Sequence, residues 1–112
     1  MTNTNTRLES YLETLLWAEN LEGEFAPQTL NSLDVELQRF YKTLEETGVY
    51  GIISLDHDDS SISHNFWLTR QGHGAGFWDG DFGLFGDQLT QISDAFGELY
   101  PYVGDDGLIY TM

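Results

Sequence analysis

The stretch His64–Gly80, HNFWLTRQGHGAGFWDG, decides how the second half of this 112-residue chain is interpreted. Asn65–Arg70 contains two aromatic residues and one β-branched residue, and Ala75–Asp79 contains two aromatic residues. The Gly72-His73 pair between them, with glycine first, is typical of a type II′ turn. We therefore predict an antiparallel β-hairpin over this stretch.

The residues before this stretch indicate helices. Thr6 and Glu9 form a capping-box pattern, and an apolar stripe that Trp17 widens follows at helical spacing. A second amphipathic pattern begins at Pro27 and ends at Gly48, residue types that favour a helix start and a helix end. We expect the two helices to pack against each other as a helical hairpin.

The residues after it complete the predicted fold. Residues 86–96 indicate a third helix, and residues 99–103 and 108–112 flank a turn and predict a closing hairpin in which Pro101 is an edge or strand-start residue. The fold class is then α+β, in the order α-α-β-β-α-β-β, with a small antiparallel sheet covered by helices. At this length, residues 1–112 are expected to form a single domain.

Composition excludes several classes of function. The chain has 19 Asp and Glu against 4 Lys and Arg, a net charge of −15, and no cysteine. Direct binding to nucleic acid or to an anionic membrane is disfavoured because both carry the same sign of charge. Disulfides and thiolate chemistry are excluded. No apolar run approaches the roughly 18 residues of a spanning helix, so we expect a cytoplasmic protein.

No motif for catalysis, a cofactor or a metal stands out. The glycines of the 72–86 region lack the lysine and the strand–loop–helix context of a phosphate-binding loop. The stretches that begin at Asp56 and Asp79 lack the glycine and the bidentate glutamate that a calcium loop requires. We predict a protein that is not an enzyme.

The predicted hairpin offers one possible ligand site. In its register His64 lies across from Asp81, and an acid beside an imidazole can orient it for proton transfer or metal binding. Arg70 is the only basic residue after Lys42 and is suited to a carboxylate or phosphate on a ligand. The alternative is a structural arginine and a half-exposed histidine. The candidate residues of this ligand site are His64, Arg70, His73 and Asp79.

The stretch His64–Gly80 resembles a motif, HxFWLTRxGHGAGFWD, of small uncharacterised proteins from bacteriophages and mobile elements. YVGDDGLIY, residues 102–110, is similar to the closing segment of the same proteins. The resemblance covers about residues 64 to 112. It implies a phage accessory protein that acts in the bacterial cytoplasm, and it implies no catalytic residues.

Small phage accessory proteins are often inhibitors of host defence, and some anti-restriction and anti-CRISPR proteins present carboxylates where an enzyme expects phosphates. We therefore expect a non-enzymatic DNA mimic whose partner is a basic DNA- or RNA-handling protein. The alternatives are a small-ligand or metal site at the hairpin, a virion or scaffold component, and acids that only keep the protein soluble. The sequence leaves the partner and the oligomeric state open. The candidate carboxylates are Glu9, Glu13, Glu19, Glu22, Glu24, Asp34, Glu36, Glu45, Glu46, Asp56, Asp58 and Asp59.

Overall fold

The computed structural model describes residues 4–72, 76–77 and 82–112, with side chains from Thr6 onward. Within these residues the chain is mostly helical and carries one small sheet. No described helix is both long enough and apolar enough to span a bilayer. The elements are α1 Thr4–Glu19, α2 Pro27–Glu46, α3 Val49–Ile53, α4 Asp59–Arg70, a 3-10 helix Gly83–Phe85, α5 Gly86–Asp94, β1 Pro101–Val103 and β2 Ile109–Thr111.

The predicted helices of the N-terminal half are confirmed. Helix α2 begins at Pro27, whose fixed φ suits the first helical position. It ends before Gly48, whose φ of 82° is a left-handed conformation that glycine adopts at low cost. Helix α1 begins at Thr4, two residues before the predicted cap. The local signals therefore locate both helices to within a few residues.

The prediction of a β-hairpin at Asn65–Arg70 is wrong, and with it the α-α-β-β-α-β-β order. These residues form the second half of α4. Residues 56–63, DHDDSSIS, are polar and indicate a loop, yet the helix begins within them at Asp59. The Asp58 side chain accepts the Ser61 backbone N–H at 2.9 Å and caps the first turn. Of the predicted partner strand, the structure describes Gly76 and Phe77, while Ala75, Trp78 and Asp79 lie outside the described residues.

The misassignment has a physical cause. Helix α4 is buried along Phe66–Arg70 and at Ile62 and Ser63. Its buried residues are therefore not confined to one apolar stripe, the pattern that identifies an amphipathic helix. A short apolar run of this kind fits a buried strand or a buried helix equally well. Helix α4 packs mainly against α1, whereas α1 and α2 make little contact. The predicted helical hairpin of α1 and α2 is therefore not the main packing of α1.

The closing hairpin and the third predicted helix are confirmed. Strands β1 and β2 pair antiparallel with Tyr102 opposite Tyr110, and Pro101 is the first residue of β1. On its other side β2 bonds to the segment before α2, since the Ile109 carbonyl accepts the Ala26 N–H at 2.9 Å. The two-stranded sheet is thus attached to the helical body.

The core is built around α4. Phe66 stacks on Phe40 with ring centroids 3.9 Å apart, and Trp67 is fully buried. The chain returns to α4 after its C-terminal turn, where the Phe77 N–H donates to Thr69 Oγ1 at 3.0 Å. A Cβ on Gly76 would lie 2.5 Å from the same oxygen, so this close approach requires glycine. The described part of the motif over 64–80 is thus largely committed to the core.

Candidate functional site

The ligand site expected at the predicted hairpin is not assembled by two strands. His64 and Arg70 both lie on α4, about 9 Å apart along the helix axis. His64 bonds to Thr14 of α1, whereas Arg70 reaches the C-terminal end of α5. His73, Asp79 and Asp81 lie outside the described residues. The structure therefore brings His64 and Arg70 to separate places.

Arg70 is a structural connector. Its side chain is fully buried, and its Nε and Nη2 donate to the carbonyls of Gly97 and Phe96 at 2.8 and 3.0 Å. Its Nη1 donates to the Tyr11 hydroxyl at 3.1 Å and to Glu36 Oε1 at 2.8 Å. Burial alone lowers the pKa of Arg70, but the interactions with Tyr11 and Glu36 outweigh burial and raise that pKa. Arg70 thus joins α1, α2 and α4 to the end of α5.

Gln71, the next residue of the motif, also joins distant parts of the chain. The side-chain amide of Gln71 accepts the Leu99 N–H and donates to the Leu99 carbonyl, both at 2.8 Å. It therefore fixes the chain between α5 and β1. Earlier in the motif, Trp67 Nε1 donates to Glu19 Oε2 at 3.3 Å. The polar groups of Gln71 and Trp67 therefore form hydrogen bonds within the protein.

Two of the nominated carboxylates are internal ion-pair partners. Asp59 is buried, accepting Arg7 Nε at 2.9 Å and the Tyr50 hydroxyl at 2.8 Å. Glu36 pairs with Arg70. Because these oxygens are committed inside the fold, a partner meets little of their charge.

The remaining nominated acids divide by exposure. Glu19 and Asp34 are half-buried, and Asp34 Oδ1 is buried with no hydrogen-bond partner among the described residues. Glu45 is exposed and lies 3.7 Å from Arg7 Nη2. The exposed group consists of Glu9, Glu13, Glu22, Glu24, Glu45, Glu46, Asp56 and Asp58.

A groove between α1 and α4 gathers part of this exposed set. It has a volume of about 500 Å³ and is open to solvent. Trp17 lines it and is 70% exposed, although its spacing predicts a place in the apolar stripe of α1. The lining residues are Ser10, Glu13, Thr14, Trp17, Asp58, Ser60, Ser61 and His64.

Hydrogen bonds in the groove determine the histidine tautomer. The Thr14 hydroxyl donates its proton to the Ser10 carbonyl at 2.7 Å, so it accepts from His64 Nδ1 at 2.9 Å. The neutral imidazole therefore carries its proton on Nδ1 and presents Nε2 as an acceptor. The Trp17 ring lies beside it, with centroids 5.8 Å apart.

The basic residues lie elsewhere. Arg7, Arg39 and Lys42 line a separate depression along α2, and Arg70 is buried. None of the four Lys and Arg residues of the chain lines the α1/α4 groove. The molecule is therefore electrically asymmetric, with carboxylates and acceptors in the groove and its accessible cations on α2.

The hydroxyl groups and the tryptophan of this groove were not among the predicted site residues. The available signal was local: Glu9, Glu13 and Trp17 follow one another at intervals of four and share one side of α1. Within residues 4–72, 76–77 and 82–112, no three His, Asp or Glu side chains are placed to hold a metal ion.

Comparison with known proteins gives no match to a family model, to a curated protein or to a solved structure. The resemblance of residues 64–112 to bacteriophage proteins therefore stays a prediction.

Proposed function

We propose that the protein binds a basic nucleic-acid-handling protein of a bacterial host and inhibits it by occupying the surface that binds DNA or RNA. The contact surface is the acidic face, defined as Glu9, Glu13 and Trp17 of α1 together with Asp58 at the start of α4. The observation that carries the proposal is an exposed tryptophan that shares a groove with the carboxylates of Glu13 and Asp58, a groove lined by no Lys or Arg.

The acidic face combines two features of protein-binding surfaces. Its carboxylates are exposed on two neighbouring helices, and Glu13 and Asp58 line the same groove. Trp17 offers a large side chain that a partner can bury, and tryptophan is enriched among residues that dominate binding energy. The charge attracts and orients a basic partner, and the indole then contributes apolar contact area.

The whole-molecule charge supports the same partner class. A net charge of −15 repels nucleic acid and accelerates encounter with a Lys- and Arg-rich surface. Arg39 and Lys42 lie on α2, outside the groove, so a basic partner is attracted less strongly to their depression than to the groove. The negative charge of the molecule thus favours a partner that binds nucleic acid through such a basic surface.

The experiment compares two variants that lose the same charge. Glu13→Gln/Asp58→Asn removes two carboxylates of the groove, and asparagine preserves the helix cap. Glu24→Gln/Glu46→Gln removes two exposed carboxylates outside the groove. Each double variant has a net charge of −13, two units from −15. Proteins captured from bacterial lysate on each immobilised variant are eluted with duplex DNA, and the partner is purified for Kd measurement.

We expect DNA to displace the partner and the Kd to weaken by about tenfold or more between about 50 and 200 mM salt. The groove variant is expected to bind about tenfold more weakly than wild type, and the control variant within about threefold. The proposal is wrong if DNA does not displace the partner, or if both variants lose the same affinity.

A further inference from the structure

We infer that the groove accepts an arginine side chain of the partner, with the guanidinium stacked on Trp17 and paired with Glu13. This inference rests on the proposed function for the identity of the partner. The groove itself can be tested without that partner. Its polar lining and its lack of cations exclude an anionic or purely apolar guest.

The arginines of the chain itself already use this arrangement. The Arg7 guanidinium lies 3.9 Å from the Tyr41 ring centroid and 2.9 Å from an Asp59 oxygen. Arg70 lies 5.5 Å from the Phe66 ring centroid and pairs with Glu36.

Trp17 and Glu13 form a third pair of an aromatic ring and a carboxylate, one turn apart on α1 and lining one groove. No Lys or Arg of this chain lines that groove. A cation from another molecule is therefore the matching guest.

The acceptors of the groove favour arginine over lysine. They include the Glu13 carboxylate, the second carboxylate oxygen of Asp58, and His64 Nε2. A guanidinium is planar, carries five N–H donors and stacks on an indole, so it can satisfy dispersed acceptors while lying on Trp17. An ammonium is a compact, strongly hydrated point charge that gains less from this geometry.

The probe is the blocked tripeptide Ac-Gly-Arg-Gly-NH2, with its lysine and citrulline counterparts as comparisons. Citrulline keeps the shape of arginine but has no charge. Binding to the full chain is followed by the ¹H–¹⁵N signal of the Trp17 indole, which is assigned by its loss in Trp17→Phe. Because Trp17 is 70% exposed, this variant is expected to fold.

We expect the arginine peptide to shift the Trp17 signal in a saturable way, and the citrulline peptide to cause no saturable shift. The lysine peptide should bind at least about threefold more weakly. Glu13→Gln should weaken the arginine peptide by about two- to fivefold, whereas the exposed control Glu46→Gln should leave its Kd unchanged.

Equal binding of the arginine and lysine peptides overturns the inference, since a point charge would then suffice. An unshifted Trp17 signal or equal binding of citrulline also overturns it. Failure of the proposed function is distinguishable because the titration uses no partner protein. If DNA displaces the partner and the Glu13→Gln/Asp58→Asn variant binds it more weakly, while the arginine peptide leaves the Trp17 signal unshifted, this inference alone is overturned.

Discussion

Replacing Arg70 with methionine is expected to lower the free energy of unfolding by about 3–5 kcal/mol. The substitution leaves the carbonyls of Phe96 and Gly97 without their donor and removes the partner of Glu36. An unpaired buried polar group costs about 1–3 kcal/mol, which applies in full to the buried Tyr11 hydroxyl that Arg70 also contacts. The two carbonyls contribute less, because Phe96 is half-buried and Gly97 is exposed. Glu36 contributes at the lower end because its side chain is 28% exposed and water partly replaces the lost partner.

Arg70→Lys should lower the free energy of unfolding by less, about 1–3 kcal/mol. A single ammonium group cannot reproduce the hydrogen bonds of a planar guanidinium to two carbonyls and a carboxylate. The assay is urea unfolding followed by circular dichroism, with thermal unfolding beside it. For a chain of this size Arg70→Met should lower the Tm by about 10–20 °C.

The control is Arg39→Met, because Arg39 is exposed on α2. Both methionine variants have a net charge of −16, one unit from −15, so the difference between them reports the buried contacts. Arg39 lies 5.9 Å from the Phe96 ring, and its loss should cost no more than about 1 kcal/mol. If the two variants are equally stable to within about 0.5 kcal/mol, the structural role assigned to Arg70 is wrong.

Two further outcomes follow from the core. Gly76→Ala should cost about 1–3 kcal/mol of unfolding free energy, because the new Cβ would lie 2.5 Å from Thr69 Oγ1. Gly51→Ala, in open space within α3, should be neutral or stabilising, and equal effects of the two would refute the packing argument. Burial raises the pKa of Tyr11 and Tyr41, so the folded state retains protons that the unfolded state loses above about pH 10. The free energy of unfolding should therefore fall by up to about 2.7 kcal/mol per pH unit above that pH, and Tyr11→Phe should reduce this slope in urea titrations; an unchanged slope would contradict it.

The elements that could be predicted from the sequence have local signals. Pro27 and Gly48 bracket α2, and the turn at 104–107 lies between two short apolar strands. Helix α4 has a local signal at Asp58, but its burial on most sides removes the periodicity that identifies a helix. Its assignment depends on contacts with α1, which a local pattern does not report.

Part of the candidate site could likewise be predicted from local sequence signals, and part could not. The spacing of Glu9, Glu13 and Trp17 places them on one side of α1, so part of the acidic face could be predicted. The contribution of α4 could not, because the residue pattern indicates a polar loop at Asp58 and a strand that begins at Asn65, directly after His64. The exposure of Trp17 is likewise a result of how α1 packs on α4.

The sign and size of the charge, −15, follow from the amino-acid composition, and they set which charged surfaces the molecule attracts or repels. Which carboxylates carry that charge at the surface depends on how the chain packs. Asp59 pairs with Arg7 across 52 positions and Glu36 with Arg70 across 34, while Glu13 remains exposed in the groove. Net charge is a sum over residues, whereas the pairing of charges depends on which distant segments the core brings together.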